Sequence, residues 1–149
     1  MANHQSSHYP DIGVLGEDFI AQWLQSSGWK ILHRRWRCPW GEIDLIADNC
    51  DFLVFVEVKT RSNGSWDAGG LLAITPQKQA KLWQTAESFL ATYQEFSDRP
   101  CSFDVALVYC QTSANKSLQT PLINSSASLI QIKDKTYKLS LQEYISAAF

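Results

Sequence analysis

The chain has 149 residues, 45% of them hydrophobic and 19% charged, with a formal net charge of −2. That length and apolar share suit one domain with a real core, here residues 11–149, preceded by a polar tail over residues 1–10 that is expected to be disordered. A slightly acidic chain has no global field to attract nucleic acid, so any such binding must rest on a local patch, and no apolar run approaches the roughly 20 residues of a membrane span.

The tail, Met1 to Pro10, lacks the apolar core of a signal peptide, and His4 and His8 there read as tail rather than ligands. Cys38, Cys50, Cys101 and Cys110 form no C-x-x-C pair and no zinc spacing, so they are expected as reduced, mostly buried thiols in a cytoplasmic protein.

Ile12 to Ser27 has helical periodicity: Ile12, Leu15, Phe19 and Trp23 make an apolar row, Ile20 and Leu24 widen it, and Gly28 stops it. Glu17 precedes Ile20, Ala21 and Leu24 by three, four and seven residues, so it points partly inward. On position alone it is a first-turn acid favoured by the helix dipole.

Trp29 to Trp40, WKILHRRWRCPW, carries Lys30, Arg34, Arg35 and Arg37 with no acid between them and interleaves Trp29, Trp36 and Trp40. The composition suits phosphates plus stacking. It suits equally a first strand with a solvated basic face and core tryptophans, His33 being a polar neighbour.

Gly41 to Arg61 reads as two strands around Asp48-Asn49-Cys50-Asp51. Ile43, Leu45 and Ala47 alternate with Glu42, Asp44 and Ile46; Phe52, Val54, Val56 and Val58 alternate with Leu53, Phe55, Glu57 and Lys59. A turn centred on Asn49 and Cys50 would set Asp44 opposite Phe55, on the face of Glu57 and Lys59, with the carboxylates roughly 7–8 Å apart at Cα. A one-residue slip would put Asp44 on the other face. Two carboxylates and an ammonium ending so apolar a strand cost several kcal/mol in desolvation unless paired or metal-bound. A strand-end salt bridge and a metal site are both open at this point.

Ser62 to Ile74 is a connection whose Gly69-Gly70 lacks the spacing of a nucleotide loop. Thr75-Pro76 opens a second helix that runs to about Phe96, burying Leu82, Trp83, Ala86, Phe89, Leu90 and Tyr93. Gln79 sits on that stripe near the helix start, while Lys78 and Lys81 project elsewhere. Cys101 to Tyr109 is a strand with Asp104 in a structural position, Gln111 to Ser128 a long polar loop, and Leu129 to Lys133 with Thr136 to Leu141 a hairpin around Asp134-Lys135. Gln142 to Phe149 is expected as a short helical tail. Helix, three strands, helix, strand and hairpin make an α/β fold: a mixed central β-sheet flanked by helices.

Gly16-Glu17, Trp36-Arg37-Cys38, Gly41 to Ile46, Val56 to Arg61, Lys78-Gln79 and Phe103-Asp104-Val105 occur in this order. The series resembles the YraN-like family of uncharacterised bacterial proteins, over about Ile12 to Val108. That family is similar in turn to the restriction-endonuclease-like, PD-(D/E)xK, group that includes archaeal Holliday-junction resolvases. The resemblance implies a restriction-endonuclease-like fold and a Mg²⁺- or Mn²⁺-dependent endonuclease acting on DNA, branched or junction DNA included. By that resemblance Asp44, Glu57 and the Val58 carbonyl hold the metal, and Glu17 adds a third carboxylate. Lys59 orients the attacking water or neutralises developing charge, and Gln79 orients substrate or water. Arg34, Arg35, Arg37, Arg61, Lys30 and Lys78 then face nucleic acid, and a homodimer is implied because resolvases pair two sites. Two rivals remain at this level: a non-catalytic nucleic-acid-binding module on the same fold, and a protein-interaction domain whose charged strand end is only structural.

Overall fold

The computed structural model describes residues 10–62, 74–114 and 127–149. The expected tail with its two histidines, nearly all of the Ser62 to Ile74 connection and the middle of the Gln111 to Ser128 loop lie outside them.

Helix α1 (Ile12–Ser26) begins at Asp11, whose side chain accepts the Gly13 N–H at 2.8 Å, and ends where Gly28 N–H returns to Gln25 and Trp29 N–H to Leu24. Strands β1 (Lys30–Cys38), β2 (Gly41–Asp48) and β3 (Leu53–Arg61) follow, then helix α2 (Pro76–Thr92), a short 3₁₀ turn at Gln94–Phe96, and strands β4 (Cys101–Ser113), β5 (Ala127–Ile132) and β6 (Lys135–Ile145). They form one six-stranded sheet in the order β1-β2-β3-β4-β6-β5. Only β3 and β4 run parallel, with α2 between them in the chain, and every other neighbouring pair is antiparallel. The sheet is therefore mixed, and the chain is α/β as its pattern predicts.

The two helices cover different residues of the sheet. Leu15, Phe19, Ile20 and Leu24 of α1 pack with Leu45, Val54, Val56, Ala106 and Val108. Ala86 and Phe89 of α2 pack with Ile43, Ile46, Phe55 and Phe103. Phe55, Phe89 and Phe103 are fully buried, with Phe55 lying 5.9 Å from Phe89 and 5.2 Å from Phe103 between ring centres. Each such ring contributes about 1.5–3 kcal/mol through burial. Because β3 is covered on both sides, it reads as a nearly continuous apolar run until Glu57.

Five expectations are corrected. The C-terminal segment is not helical: β6 continues to Ile145, because β4 offers a paired edge as far as Val105 opposite Ile145, and that pairing outweighs the local polarity of Gln142 and Glu143. For the same reason β4 extends to Ser113 instead of stopping at Tyr109. Helix α2 proper closes at Thr92, before the 3₁₀ turn. Of the cysteines, Cys110 is buried, Cys38 and Cys101 are half-buried, and Cys50 is exposed in the β2–β3 turn. The hairpin of β5 and β6 is present, with Ile132 opposite Lys135, so its turn is Lys133-Asp134, one residue earlier than expected. Asp104 has the structural place expected of it, accepting the Tyr144 hydroxyl at 2.6 Å and the Ala147 N–H at 2.9 Å.

Candidate active site: a carboxylate pair where two strands part

The β2–β3 turn centres one residue later than expected. Asn49 accepts the N–H groups of Asp51 and Phe52, and Cys50 takes φ +78°. The paired register runs from Asp48 opposite Leu53 to Leu45 opposite Val56. One step further sets Asp44 opposite Glu57, not Phe55. The two-residue difference from the assumed register preserves the face and brings the carboxylates closer, into directly opposed positions.

Backbone pairing stops at Leu45 and Val56, and side chains take over. Asp44 Oδ2 accepts the Val58 N–H at 2.8 Å, where a β2 carbonyl would otherwise sit. Glu57 Oε1 lies 3.4 Å from the Asp44 N–H, a long contact. Two strands thus part at one end of the sheet, with a carboxylate from each in the gap. Glu57 is only 8% exposed.

Burial and mutual repulsion hold both acids in their protonated form beyond the usual range. Glu57 is pushed up to about 8, by desolvation first and then by Asp44. Asp44 is pushed up to about 6, by desolvation first, opposed by its Val58 hydrogen bond. Lys59, half-buried two residues beyond Glu57, favours the ionised forms of both but is outweighed by burial.

Glu17 approaches from α1. A Cβ added to Gly16 would lie 1.9 Å from Thr60 Oγ1, so the absence of a side chain lets α1 settle directly on the end of β3. The next residue, Glu17, is consequently drawn inward, with a side chain 16% exposed, and its charge raises both Asp44 and Glu57. Glu17 Oε1 itself accepts Arg35 Nε at 2.8 Å. Among the described residues no three His, Cys, Asp or Glu side chains gather as a ready metal cluster. The close arrangement is the Asp44–Glu57 pair, with Glu17 held by an arginine beside it. Two opposed, desolvated carboxylates that a single ammonium does not neutralise nonetheless fit a hard cation taking oxygen ligands and keeping several waters.

The arginines of the basic strand find partners elsewhere in the fold. Arg34 pairs with Asp18, Arg35 with Glu17 and Arg37 with Glu42, so acids from α1 and β2 supply the counter-charges absent from the segment itself. Arg35 takes φ +50° within the strand, where it would face Asp44 in the register. Lys30 lies opposite Asp48, at the far end of β2 from Asp44. Trp29 and Trp36 pack against the two cores, the latter edge-on to Phe89 at 5.3 Å, and His33 lies against Phe89 and Tyr93. Trp40 alone of the three is exposed, at 56%. Arg61 follows Lys59 at the end of β3, opposite Tyr109.

Glu57 and Lys59 open into a cleft of about 210 Å³, whose walls include Trp40, Glu42, Lys78 and Lys81. Lys78 borders the cleft from α2. Lys81 joins it one turn on; its spacing from Lys78 could have indicated this, but the direction in which α2 presents them was not legible. Gln79 donates to the Ile74 carbonyl at 3.2 Å, closing the first turn of α2, and is not among the residues bordering the cleft. Trp40 was visible only as part of a tryptophan-rich stretch; its exposure comes from its place in the β1–β2 turn.

No described helix is long and apolar enough to cross a membrane. Residues 16–108 match the model of a family described as Uncharacterised protein family UPF0102. A UPF0102 protein of Trichormus variabilis is 49% identical over 144 residues, covering 93% of this chain and 94% of its own. Those of Synechocystis and Trichodesmium erythraeum are each 46% identical, covering 93% of this chain and 97% and 88% of their own. The matched span holds Glu17, the opposed Asp44 and Glu57, Lys59 and the cleft lysines, and on these similarities the chain belongs to the UPF0102 family, the YraN-like proteins.

Proposed function

We propose that this protein is a divalent-metal-dependent endonuclease of the restriction-endonuclease-like kind, hydrolysing phosphodiester bonds in DNA. The observation that carries the reading is the opposed Asp44–Glu57 pair in the gap between β2 and β3, with Lys59 on the same strand two residues beyond. A salt bridge at a strand end needs one acid and one base. Two desolvated acids per ammonium leave a deficit of positive charge, which is costly in a stable interior and useful in a cation site.

Asp44, Glu57 and the Val58 carbonyl would hold Mg²⁺ or Mn²⁺, which supplies Lewis-acid activation of the phosphodiester and of the attacking water. The chain's own groups do the remainder. Asp44 is oriented by the Val58 N–H. Glu57 is fixed by the covered strand beneath it. Lys59, bordering the cleft, offers an ammonium to the phosphoryl oxygens as negative charge builds there, a role of the kind worth two or more orders of magnitude in rate. Lys78 and Lys81 offer charge to flanking phosphates, and Glu17 adds negative potential that draws a cation to the pair as it draws a proton.

The test is cleavage of labelled linear, branched and junction DNA with Mg²⁺ or Mn²⁺, against the same reactions in EDTA. Metal-dependent cuts that Glu57→Gln abolishes support the proposal. DNA binding without cleavage under any metal condition would reduce the protein to a binding module, and neither binding nor cleavage would leave the charged strand end as structure alone.

A further inference from the structure

Two large hydrophobic side chains are exposed among the described residues, Trp40 and Phe52. Phe52 lies in the β2–β3 turn, at the far end of β3 from Glu57. Trp40 lies in the β1–β2 turn, at the carboxylate end. A Cβ on Gly41 would come within 3.2 Å of Thr85 Oγ1, so the bare glycine lets this turn seat against α2 and fixes the indole beside that helix.

The indole is a wall shared by two hollows. On one side is the cleft with Glu57, Lys59, Lys78 and Lys81. On the other is a hollow of about 330 Å³ whose remaining border is Gln84, Glu87 and Ser88. Lys78, Lys81, Thr85 and Ser88 are spaced by three, four and three residues, so they form one row along α2. That row is about 15 Å long at 1.5 Å per residue. Along it the cationic Lys78 and Lys81 give way to buried Thr85, whose hydroxyl donates to the Lys81 carbonyl, and then to Ser88 in the hollow that Gln84 and Glu87 also border.

We infer that this row and Trp40 form a subsite for an unpaired nucleotide, with its base stacked on the indole, its edge toward Gln84, Glu87 and Ser88, and its phosphates toward Lys78, Lys81 and Lys59. The inference rests on reading the cleft as one that handles nucleic acid and names the substrate as single-stranded at this position. A base inside a duplex is stacked on both faces and cannot lie on an indole; an unpaired one can, whatever its identity. Ammonium groups beside an aromatic plate are what a base and its neighbouring phosphate require.

The experiment measures anisotropy of the full-length protein with labelled single-stranded DNA, single-stranded RNA and blunt duplex DNA of equal length, in EDTA so that no strand is cut. Wild type should prefer a single strand, and the two single-stranded probes identify which sugar is taken. Trp40→Ala should weaken that binding about tenfold or more while leaving duplex binding unchanged, and Trp40→Phe should recover most of the affinity. Because the indole is exposed, both variants should melt with wild type. A Trp40→Ala protein that holds the single strand as wild type does, a wild type that prefers the duplex, or no binding to any probe would overturn the inference. Cleavage in Mg²⁺, assayed separately, distinguishes its fate from that of the proposed activity. A wild type that cuts while Trp40→Ala binds normally removes the subsite and leaves hydrolysis. A Trp40-dependent single-strand complex that never cuts removes hydrolysis and leaves the subsite.

Discussion

Glu57→Gln should make the metal-free protein more stable above neutral pH, although it removes a buried hydrogen-bonding group's charge. Unfolded, the Glu57 carboxyl ionises near its ordinary value of 4.5; folded, burial and Asp44 keep its proton on up to about 8. The folded state therefore binds the extra proton throughout that window. Stability is fully present below the unfolded value and is lost as pH rises toward the folded one, becoming flat beyond it. At about 1.4 kcal/mol per pH unit the window caps the loss at about 5 kcal/mol, and because the repulsion is shared with Asp44, about 2–3 kcal/mol is the reasonable expectation for this one substitution. The amide keeps the shape, carries no charge at any pH, and spares Asp44 a negative neighbour. Urea unfolding in EDTA at about pH 5, 7 and 8.5 should show wild type weakening steadily, and the variant weakening only between pH 5 and 7, where buried Asp44 still titrates, and level from 7 to 8.5. Added Mg²⁺ should restore wild type at the alkaline end and leave the variant unmoved, since a cation replaces the proton only where the carboxylates can ionise. Wild-type stability that is flat across this range without metal would refute the burial and repulsion argument at its root.

Lys59→Met separates a catalytic ammonium from a structural one: cleavage should fall by two or more orders of magnitude with melting temperature nearly intact, roughly 3 kcal/mol of barrier, whereas loss of folding without metal rescue would favour a salt bridge. Gly16→Ala should destabilise the protein by about 1–3 kcal/mol in urea, because the new methyl meets Thr60 Oγ1 where α1 and β3 touch; an unchanged midpoint would mean the helix can slide at no cost. Changing Arg34, Arg35 and Arg37 together to Gln should flatten the salt dependence of DNA binding, because each phosphate no longer neutralised by an arginine releases about one fewer counterion. The exposed pairs that Arg34 and Arg37 form with Asp18 and Glu42 are worth only about 0–1 kcal/mol each, so phosphate can displace those acids, and an unchanged salt slope would place the binding surface on the α2 lysines instead.

Local pattern carried much of this fold. Apolar periodicity marked α1 and the buried stripe of α2, Thr75-Pro76 marked where α2 starts, and alternation marked β2 and β3 up to the residue where Glu57 and Lys59 interrupt it. These features are determined within a few neighbouring residues, by caps, side-chain period and turn chemistry, which is why a single chain displays them. What lies across the chain was decided by tertiary structure. The register that sets Asp44 against Glu57 depends on which residues the turn consumes, and Asn49 made it one residue later than its composition implied. The last strand continues past Leu141 to Ile145 because β4 had an edge to pair there, over the local polarity of Gln142 and Glu143. The four positive charges of the first strand looked uncompensated because the acids that pair its arginines lie on α1 and β2. Trp29, Trp36 and Trp40 are alike as sequence, yet two are packed and one stands in the cleft wall, because exposure is a property of what the sheet and α2 leave uncovered. Residue type and period fix which groups are available; only folding fixes which charges meet, which are desolvated, and therefore which of them can do chemistry.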